Sequence, residues 1–362
     1  MSPVTTGIVG ILVLIVLFLL RMPVGFALAL VGVAGFSWLV SPEAGFGILA
    51  RDIYHTFSSY SLTVIPMFVL MGAIASASGM SQRLYDASYS LLGRLRGGLA
   101  IATVAGCAGF AAICGSTNAT AAAMGKVSLP EMKRYGYADS LATGSVAAAG
   151  SLGILIPPST IFIIYGILTE QSIGKLFLSG VFPGLLLASL FVAVIVVMCR
   201  WNPGLAPRGR KTEWKDKLGG LVGVLETLAL FALVIVGLFL GWFSPTQAGG
   251  AGAAGALLIG LASRKLTWGG FVDAVKDALR ITCMVMVIVA GAVVFGHFMA
   301  VSKIPLVLSD WVVGLPLPPV AVMGVIVLIY LVGGCFMDAL ALITLTIPII
   351  YPVVLALGFD PI

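Results

Sequence analysis

The string Gly115-Ser116-Thr117-Asn118-Ala119-Thr120 lies in the middle of a run, residues 97–125, that contains no Asp, Glu, Lys or Arg. Basic residues bracket it: Arg94 and Arg96 before, Lys126, Lys133 and Arg134 after. An α-helix crosses the hydrocarbon core in about 20 apolar residues, which would put the two ends of one span on opposite sides. Lys and Arg next to membrane helices belong on the cytoplasmic side, so both ends of this run face the same way. The chain is therefore predicted to enter and return as a re-entrant hairpin with a small, polar tip. Non-helical backbone at membrane depth is tolerated where it is buried in protein or lines a cavity, which makes the tip a candidate binding site.

The rest of the chain has the same character. Of 362 residues, 60% are hydrophobic and 9% charged, whereas a soluble domain has about 25% charged residues. Uncharged runs cover residues 1–20, 22–42, 53–82, 97–125, 140–169, 176–199, 227–263, 281–302, 311–337 and 339–359. Runs this long predict helices rather than barrel strands. The first lacks a basic start and a cleavage site, so it reads as a retained span. Net charge of +6 reports orientation here, not nucleic-acid binding. No G-x-x-x-x-G-K-[ST] loop and no H-E-x-x-H set occurs, which argues against an ATP-driven pump and against an enzyme. Cys107, Cys114, Cys199, Cys283 and Cys335 lack metal spacing and read as packing residues. His55 and His297 are lone and read as packed or interfacial.

Arg200, Arg208, Arg210, Lys211, Lys215 and Lys217 form the densest basic segment. It predicts a cytoplasmic linker, residues 201–218, between two halves. The first half, residues 1–200, holds the hairpin at about 98–134 and a broken helix at about 138–169. The second, residues 219–362, holds another candidate hairpin at about 316–359, with its tip at Gly333-Gly334-Cys335-Phe336-Met337-Asp338. Following the alternation of sides, this second hairpin opens outward. Ile8 precedes Ser116 by 108 residues and Leu221 precedes Cys335 by 114, so the halves read as an inverted repeat. Such repeats with broken helices near the midplane are the pattern of secondary transporters.

Three strings carry candidate chemistry. The first tip offers hydroxyls, an amide oxygen and freed carbonyls suited to Na+, or else a plain glycine-serine helix contact. In Gly150-Ser151-Leu152-Gly153-Ile154-Leu155-Ile156-Pro157-Pro158-Ser159, consecutive prolines must interrupt the helical ladder. The carbonyls left without donors could coordinate a cation, or the break is a simple kink. Asp338 is the only acid in residues 311–359; it neutralises a cation, orients the second tip, or caps the following helix. Phe243-Ser244-Pro245-Thr246-Gln247 reads as a turn.

The first tip continued through Ala121-Ala122-Ala123, the Gly150 to Ser159 string and Phe243-Ser244-Pro245-Thr246 together closely resemble the large permease subunit of tripartite ATP-independent periplasmic (TRAP) transporters, the DctM-like family. The resemblance covers essentially the whole chain. It implies an all-α polytopic membrane protein of the bacterial inner membrane, an inverted-repeat, elevator-type carrier of the ion transporter superfamily with two re-entrant hairpins. It implies Na+ as coupling ion, with no other cofactor, and a C4-dicarboxylate or similar organic acid as substrate. The implied partners are a small four-helix membrane subunit (DctQ-like), a periplasmic substrate-binding protein (DctP-like) and the lipid bilayer. Carried over by motif, one Na+ site uses Ser116, Asn118, Gly153, Ile156 and Pro158, and a second, incomplete one uses Gly333 and Gly334. Substrate falls to Ser116, Thr117, Asn118, Pro157 and Asp338. Two departures stand out. Gln247 replaces a usual Glu, and the counterpart of Pro157 would fall beyond Ile362, so the chain looks C-terminally shortened. Competing readings are a stand-alone carboxylate symporter or antiporter of the same superfamily, and an uncoupled channel or assembly subunit.

Overall fold

The computed structural model describes the backbone of residues 2–207 and 214–362, and the side chains of those residues apart from 214–223. Among the described residues there are helices and no strands. The chain runs α1 (Pro3–Leu19), α2 (Val24–Leu39), α3 (Pro42–Ser58), α4 (Val64–Ala77), α5 (Met80–Leu92), α6 (Gly98–Cys114), α7 (Thr117–Arg134), α8 (Asp139–Gly150), α9 (Leu152–Leu155), α10 (Thr160–Leu168) and α11 (Ile173–Trp201). It continues with α12 (Trp214–Phe239), α13 (Pro245–Ala262), α14 (Trp268–Ser302), α15 (Ile304–Val313), α16 (Pro319–Gly334) and α17 (Ala339–Ala356). Arg208, Arg210 and Lys211 of the expected linker lie outside the described residues.

Exposure decides the environment of these helices. α11 has 29 residues, and only 11% of its apolar window is buried. At 1.5 Å per residue it is about 43 Å long, enough to cross a hydrocarbon core of about 30 Å. Its outward side chains include Leu178, Phe182, Leu185, Leu190 and Val194; a continuous apolar surface of this kind belongs in lipid, not water. The chain is a polytopic membrane protein. Among the described residues four helices are long and apolar enough to span, five if one bent pair is counted. The ten uncharged runs do not map onto ten spans, because prolines, glycines and polar tips divide several of them into shorter helices.

That bent pair corrects the reading of residues 53–82 as one run: α3 ends at Ser58, and the chain bends by 57° into Ser61–Ala77. Another difference lies in α14, which runs unbroken from Trp268 through the charged stretch 273–280 into the apolar segment. Charges at one end of a helix do not interrupt its backbone bonding.

Contacts divide the chain into two compact units that draw on both halves of the sequence. One comprises Met1–Leu62, Ile164–Gln171 and Ile281–Ile362. Its core joins Leu14, Leu28 and Val31 to Phe295, Phe298 and Met299. Small residues let the helices approach there: a Cβ on Gly25 would lie 2.7 Å from the Val287 carbonyl, and one on Gly32 would lie 2.8 Å from Phe295 N. This unit contains the hairpin α16–α17. Gly333 faces Leu342 across the two arms, and Tyr330 and Thr346 share a hydrogen bond of 2.6 Å. Tyr351 of α17 accepts from Gln171 Nε2 at 3.0 Å and donates to the Thr169 carbonyl at 3.4 Å, while Tyr165 donates to the Pro361 carbonyl at 2.8 Å. The C-terminal end of this hairpin thus lies beside the turn 169–171.

The other unit comprises Thr63–Ile163 and Ser172–Arg280. Its core is built on Tyr85, Phe110, Met124, Met132 and Cys199. The hairpin α6–α7 and the broken segment α8–α10 pack within it. The hairpin base is closed by Leu99 N–H donating to the Tyr137 hydroxyl at 3.1 Å, and Ala138 N–H donates to the Leu205 carbonyl at 3.0 Å. Both ends of the first hairpin therefore lie beside the start of the basic linker. Burial pushes the Tyr137 hydroxyl pKa up, so it stays a neutral phenol able to accept that bond.

Candidate functional site

The first tip is a two-residue turn. α6 stops because Gly115 takes a left-handed conformation, φ 62°, which glycine adopts without steric cost. Ser116 is extended and caps α7, its Oγ accepting from Ala119 N–H at 3.5 Å. The C-terminal end of one helix and the N-terminal end of the next therefore meet within two residues.

The broken segment presents the same pair of ends. Pro157 and Pro158 lack the N–H groups that the carbonyls of Gly153 and Ile154 would receive in a continuous helix. The Ser159 hydroxyl supplies the missing donor to the Ile154 carbonyl at 2.6 Å. The chain then restarts as α10 at Thr160, with Ile156, Pro157, Pro158 and Ser159 all buried. The peptide between the two prolines is cis.

Tip and break are in direct contact. Thr160 donates its backbone N–H at 3.3 Å and its hydroxyl at 3.0 Å to the Gly115 carbonyl. A Cβ on Gly115 would lie 2.5 Å from the Pro158 carbonyl oxygen, and one on Gly153 would lie 2.5 Å from the Ser116 carbonyl oxygen and 2.8 Å from Thr120 Oγ1. Two helix C-termini, at Gly115 and Ile156, and two N-termini, at Thr117 and Thr160, converge. Each terminus carries roughly half an elementary charge, negative at the C-end and positive at the N-end. Such a junction provides carbonyl oxygens for a cation and N–H groups for an anion.

The structure therefore brings Ser116 to Gly153 and Gly115 to Pro158. Thr117 opens α7 half-buried; Asn118, next along, is exposed. Thr120, fully buried, has neighbours in Gly153 and Cys114. Sequence reasoning did not single out Ser159, Thr160 or Thr120. A hydroxyl residue directly after a Pro-Pro pair is the signal for the first two, because such a break leaves carbonyls in need of donors.

At the second tip Gly333 is half-buried and Gly334 exposed. Asp338 is the N-cap of α17, its Oδ2 accepting from Leu340 N–H at 3.1 Å. Of the roles open to Asp338 in the sequence, capping is the one its hydrogen bond makes. No group of three or more His, Cys, Asp and Glu is arranged to hold a metal ion among the described residues.

Ser244 and Gln247 form a capping box, not a bare turn. Ser244 N–H donates to Gln247 Oε1 at 2.9 Å and Gln247 N–H donates to Ser244 Oγ at 3.3 Å. An amide oxygen accepts as a carboxylate does, so Gln at this position needs no charge partner.

Comparison with known proteins follows the same lines. Residues 11–362 match the model of the tripartite ATP-independent periplasmic transporter, DctM component. The chain is 37% identical over 317 residues to the C4-dicarboxylate TRAP transporter large permease protein DctM of Pseudomonas aeruginosa, covering 87% of this chain and 73% of the relative. It is 34% identical to the isethionate TRAP transporter permease protein DctMQ of Oleidesulfovibrio alaskensis, over 95% of this chain and 55% of that one. It is 30% identical to the sialic acid TRAP transporter large permease protein SiaM of Vibrio cholerae, over 94% of this chain and 79% of that one.

Proposed function

The chain belongs to the DctM family of tripartite ATP-independent periplasmic transporters, and on that premise we propose that it is the carrier subunit of a Na+-coupled uptake system for an organic acid. A periplasmic binding protein delivers the acid, and a small membrane subunit completes the complex in the bacterial inner membrane. The relatives' names give C4-dicarboxylate, isethionate, sialic acid and ectoine among their solutes; each of these carries a carboxylate or sulfonate group, which is in keeping with a small organic acid.

The observation that carries this reading is the junction of Gly115–Ser116 with Gly153–Pro158. Na+ prefers hard oxygen ligands. Here the carbonyl of Gly153 has lost its helical donor to Pro157, and the carbonyls of Ser116 and Pro158 lie within van der Waals reach of neighbouring glycines. Ser116, Asn118, Gly153, Ile156 and Pro158 hold the ion in this proposal. The N-terminal ends of α7 and α10 favour the substrate carboxylate beside Ser116, Thr117, Asn118 and Pro157. Gly333 and Gly334 belong to a second, incomplete Na+ site in this proposal, and Asp338 is a further substrate residue. Both hairpins re-enter the membrane, from opposite faces, and transport follows an elevator cycle in which one part of the protein slides against the rest.

The test is Na+-dependent thermal stabilisation of the purified protein in detergent. A ligand that binds only the folded state raises Tm by mass action, so Tm is expected to be higher in NaCl than in KCl at equal ionic strength. Ser116→Ala should abolish that difference. Equal Tm in the two salts for the unaltered chain contradicts the proposal.

A further inference from the structure

The first two turns of α1 and the short helix α15, both in the same compact unit, enclose a groove of about 280 Å3 lined by Val4, Ile8, Ile304, Val307, Leu308 and Trp311. A bound water needs about two to four polar partners, and the side chains around this groove offer only the Trp311 indole N–H. Left empty, the groove would forfeit the dispersion contacts of its lining. Its occupant is therefore apolar.

Charge fixes its depth in the bilayer. Arg21, between α1 and α2, marks the cytoplasmic end of α1. Arg264, Lys265 and the charged stretch 273–280 mark the cytoplasmic end of α14. The opposite ends, the first turns of α1 and the junction of α14 with α15, thus share the outer side. They also touch: a Cβ on Gly7 would meet the Ile304 side chain and lie 2.8 Å from Ser302 Oγ. Acyl chains of the outer leaflet are the apolar matter beside a groove at this level.

Lys303 is the N-cap residue of α15, and Val307 and Trp311 follow it at successive turns of the helix. The lysine therefore stands at one end of the ridge that walls the groove. It is exposed and makes no ion pair among the described residues. Asp310, also exposed, lies two turns further on, about 10 Å along the axis, and leaves the lysine unneutralised. Trp311 is 62% exposed, as suits an indole at the membrane interface.

We propose that this groove is a phospholipid site of the outer leaflet, with one acyl chain between α1 and α15 and the headgroup phosphate paired with Lys303. Moving a chain from bilayer to groove exchanges one apolar surrounding for another. What distinguishes the bound lipid from bulk lipid is the charge-assisted hydrogen bond from the ammonium to the phosphate, about twice as strong as a neutral one. The site is independent of the Na+ junction and of the solute carried.

The test is native mass spectrometry of the purified chain, released from detergent after equilibration with phosphatidylglycerol or phosphatidylethanolamine. Both lipids carry the phosphate and both are expected to bind. The unaltered chain should retain one phospholipid more than Ile8→Trp, whose indole fills the groove. Ile8 is 51% exposed, so the larger side chain spares the core. Lys303→Gln, a change on the surface, should bind the lipid about tenfold more weakly, the loss of one hydrogen bond to a charged group, and Lys303→Arg should restore it. Leu185→Trp, on the lipid-facing side of α11, should retain as many lipids as the unaltered chain. Equal lipid counts for the unaltered chain and Ile8→Trp, or undiminished affinity in Lys303→Gln, would overturn the proposal. So would loss of the lipid when the small membrane subunit is added, which would assign the groove to that subunit.

Discussion

Thr160 spends both of its donors on one acceptor: its N–H and its hydroxyl reach the Gly115 carbonyl at 3.3 and 3.0 Å. These residues are 45 positions apart and belong to the two interrupted helices. The bond pins the tip of the hairpin to the restart of the broken segment, so the geometry of the junction is set by a side chain that need not touch ion or substrate.

Replacing Thr160 by Val removes the hydroxyl and keeps the shape. A buried hydrogen bond contributes about 1 kcal/mol net, so a comparable loss of stability is expected in denaturation experiments. The concentration of Na+ needed for half-maximal stabilisation should rise, and Thr160→Ser should restore it. Unchanged Na+ dependence in Thr160→Val would show that the bond does not position the junction.

Gly153 and Gly144 provide a matched pair within one stretch of chain. A Cβ on Gly153 would press on the Ser116 carbonyl oxygen at 2.5 Å, whereas one on Gly144 of α8 meets nothing within 4 Å. Gly153→Ala should therefore remove the Na+-dependent rise in Tm. Gly144→Ala should preserve it and add up to about 1 kcal/mol of helix stability. Calorimetry of both variants in NaCl and KCl checks the contrast.

The capping box makes a third prediction. Gln247→Glu keeps an acceptor for Ser244 N–H and is expected to leave stability nearly unchanged. Ser244→Ala should cost about 1 kcal/mol, measurable as a lower Tm, with no change in the Na+ response. A large loss with Gln247→Glu would mean that charge at that position matters, contrary to the geometry.

Arg83 and Glu226 tie α5 to α12, with Nη2 and Oε2 2.7 Å apart and side chains 15% and 25% exposed. Arg83 also donates to the Ser78 carbonyl at 3.0 Å. Removing either partner alone strands a largely buried charge, at a cost of about 3 kcal/mol. Arg83→Met combined with Glu226→Gln should cost less than either single change. A double-mutant cycle on Tm or denaturant midpoint reads the coupling.

The first tip and the broken segment were legible because glycine, hydroxyl residues and proline are dense there, and the second tip because a Gly-Gly pair and a lone Asp interrupt an apolar run. Gly115–Ser116 and Pro157–Pro158 break helices for local reasons, and local reasons are written in the sequence. Pairings between distant elements were not legible. Nothing in the run around Arg83 announces Glu226, 143 positions away, because a charged residue in a helix looks the same with or without a partner. The bend after Ser58 was hidden as well: an uncharged run reports hydrophobicity, not continuity of the backbone. The capping box at Ser244–Gln247 was visible in principle, since Ser three residues before Gln is its signature.

The central claim is that an anionic solute moves only together with Na+ and only when handed over by a binding protein. The direct measurement is uptake into proteoliposomes holding this chain with its small membrane subunit, given a periplasmic binding protein loaded with radiolabelled succinate, and sialic acid in a parallel series. Uptake that requires both an inward Na+ gradient and the loaded binding protein is the predicted result. Flux that persists without the Na+ gradient, or that proceeds equally from free solute, would contradict the account.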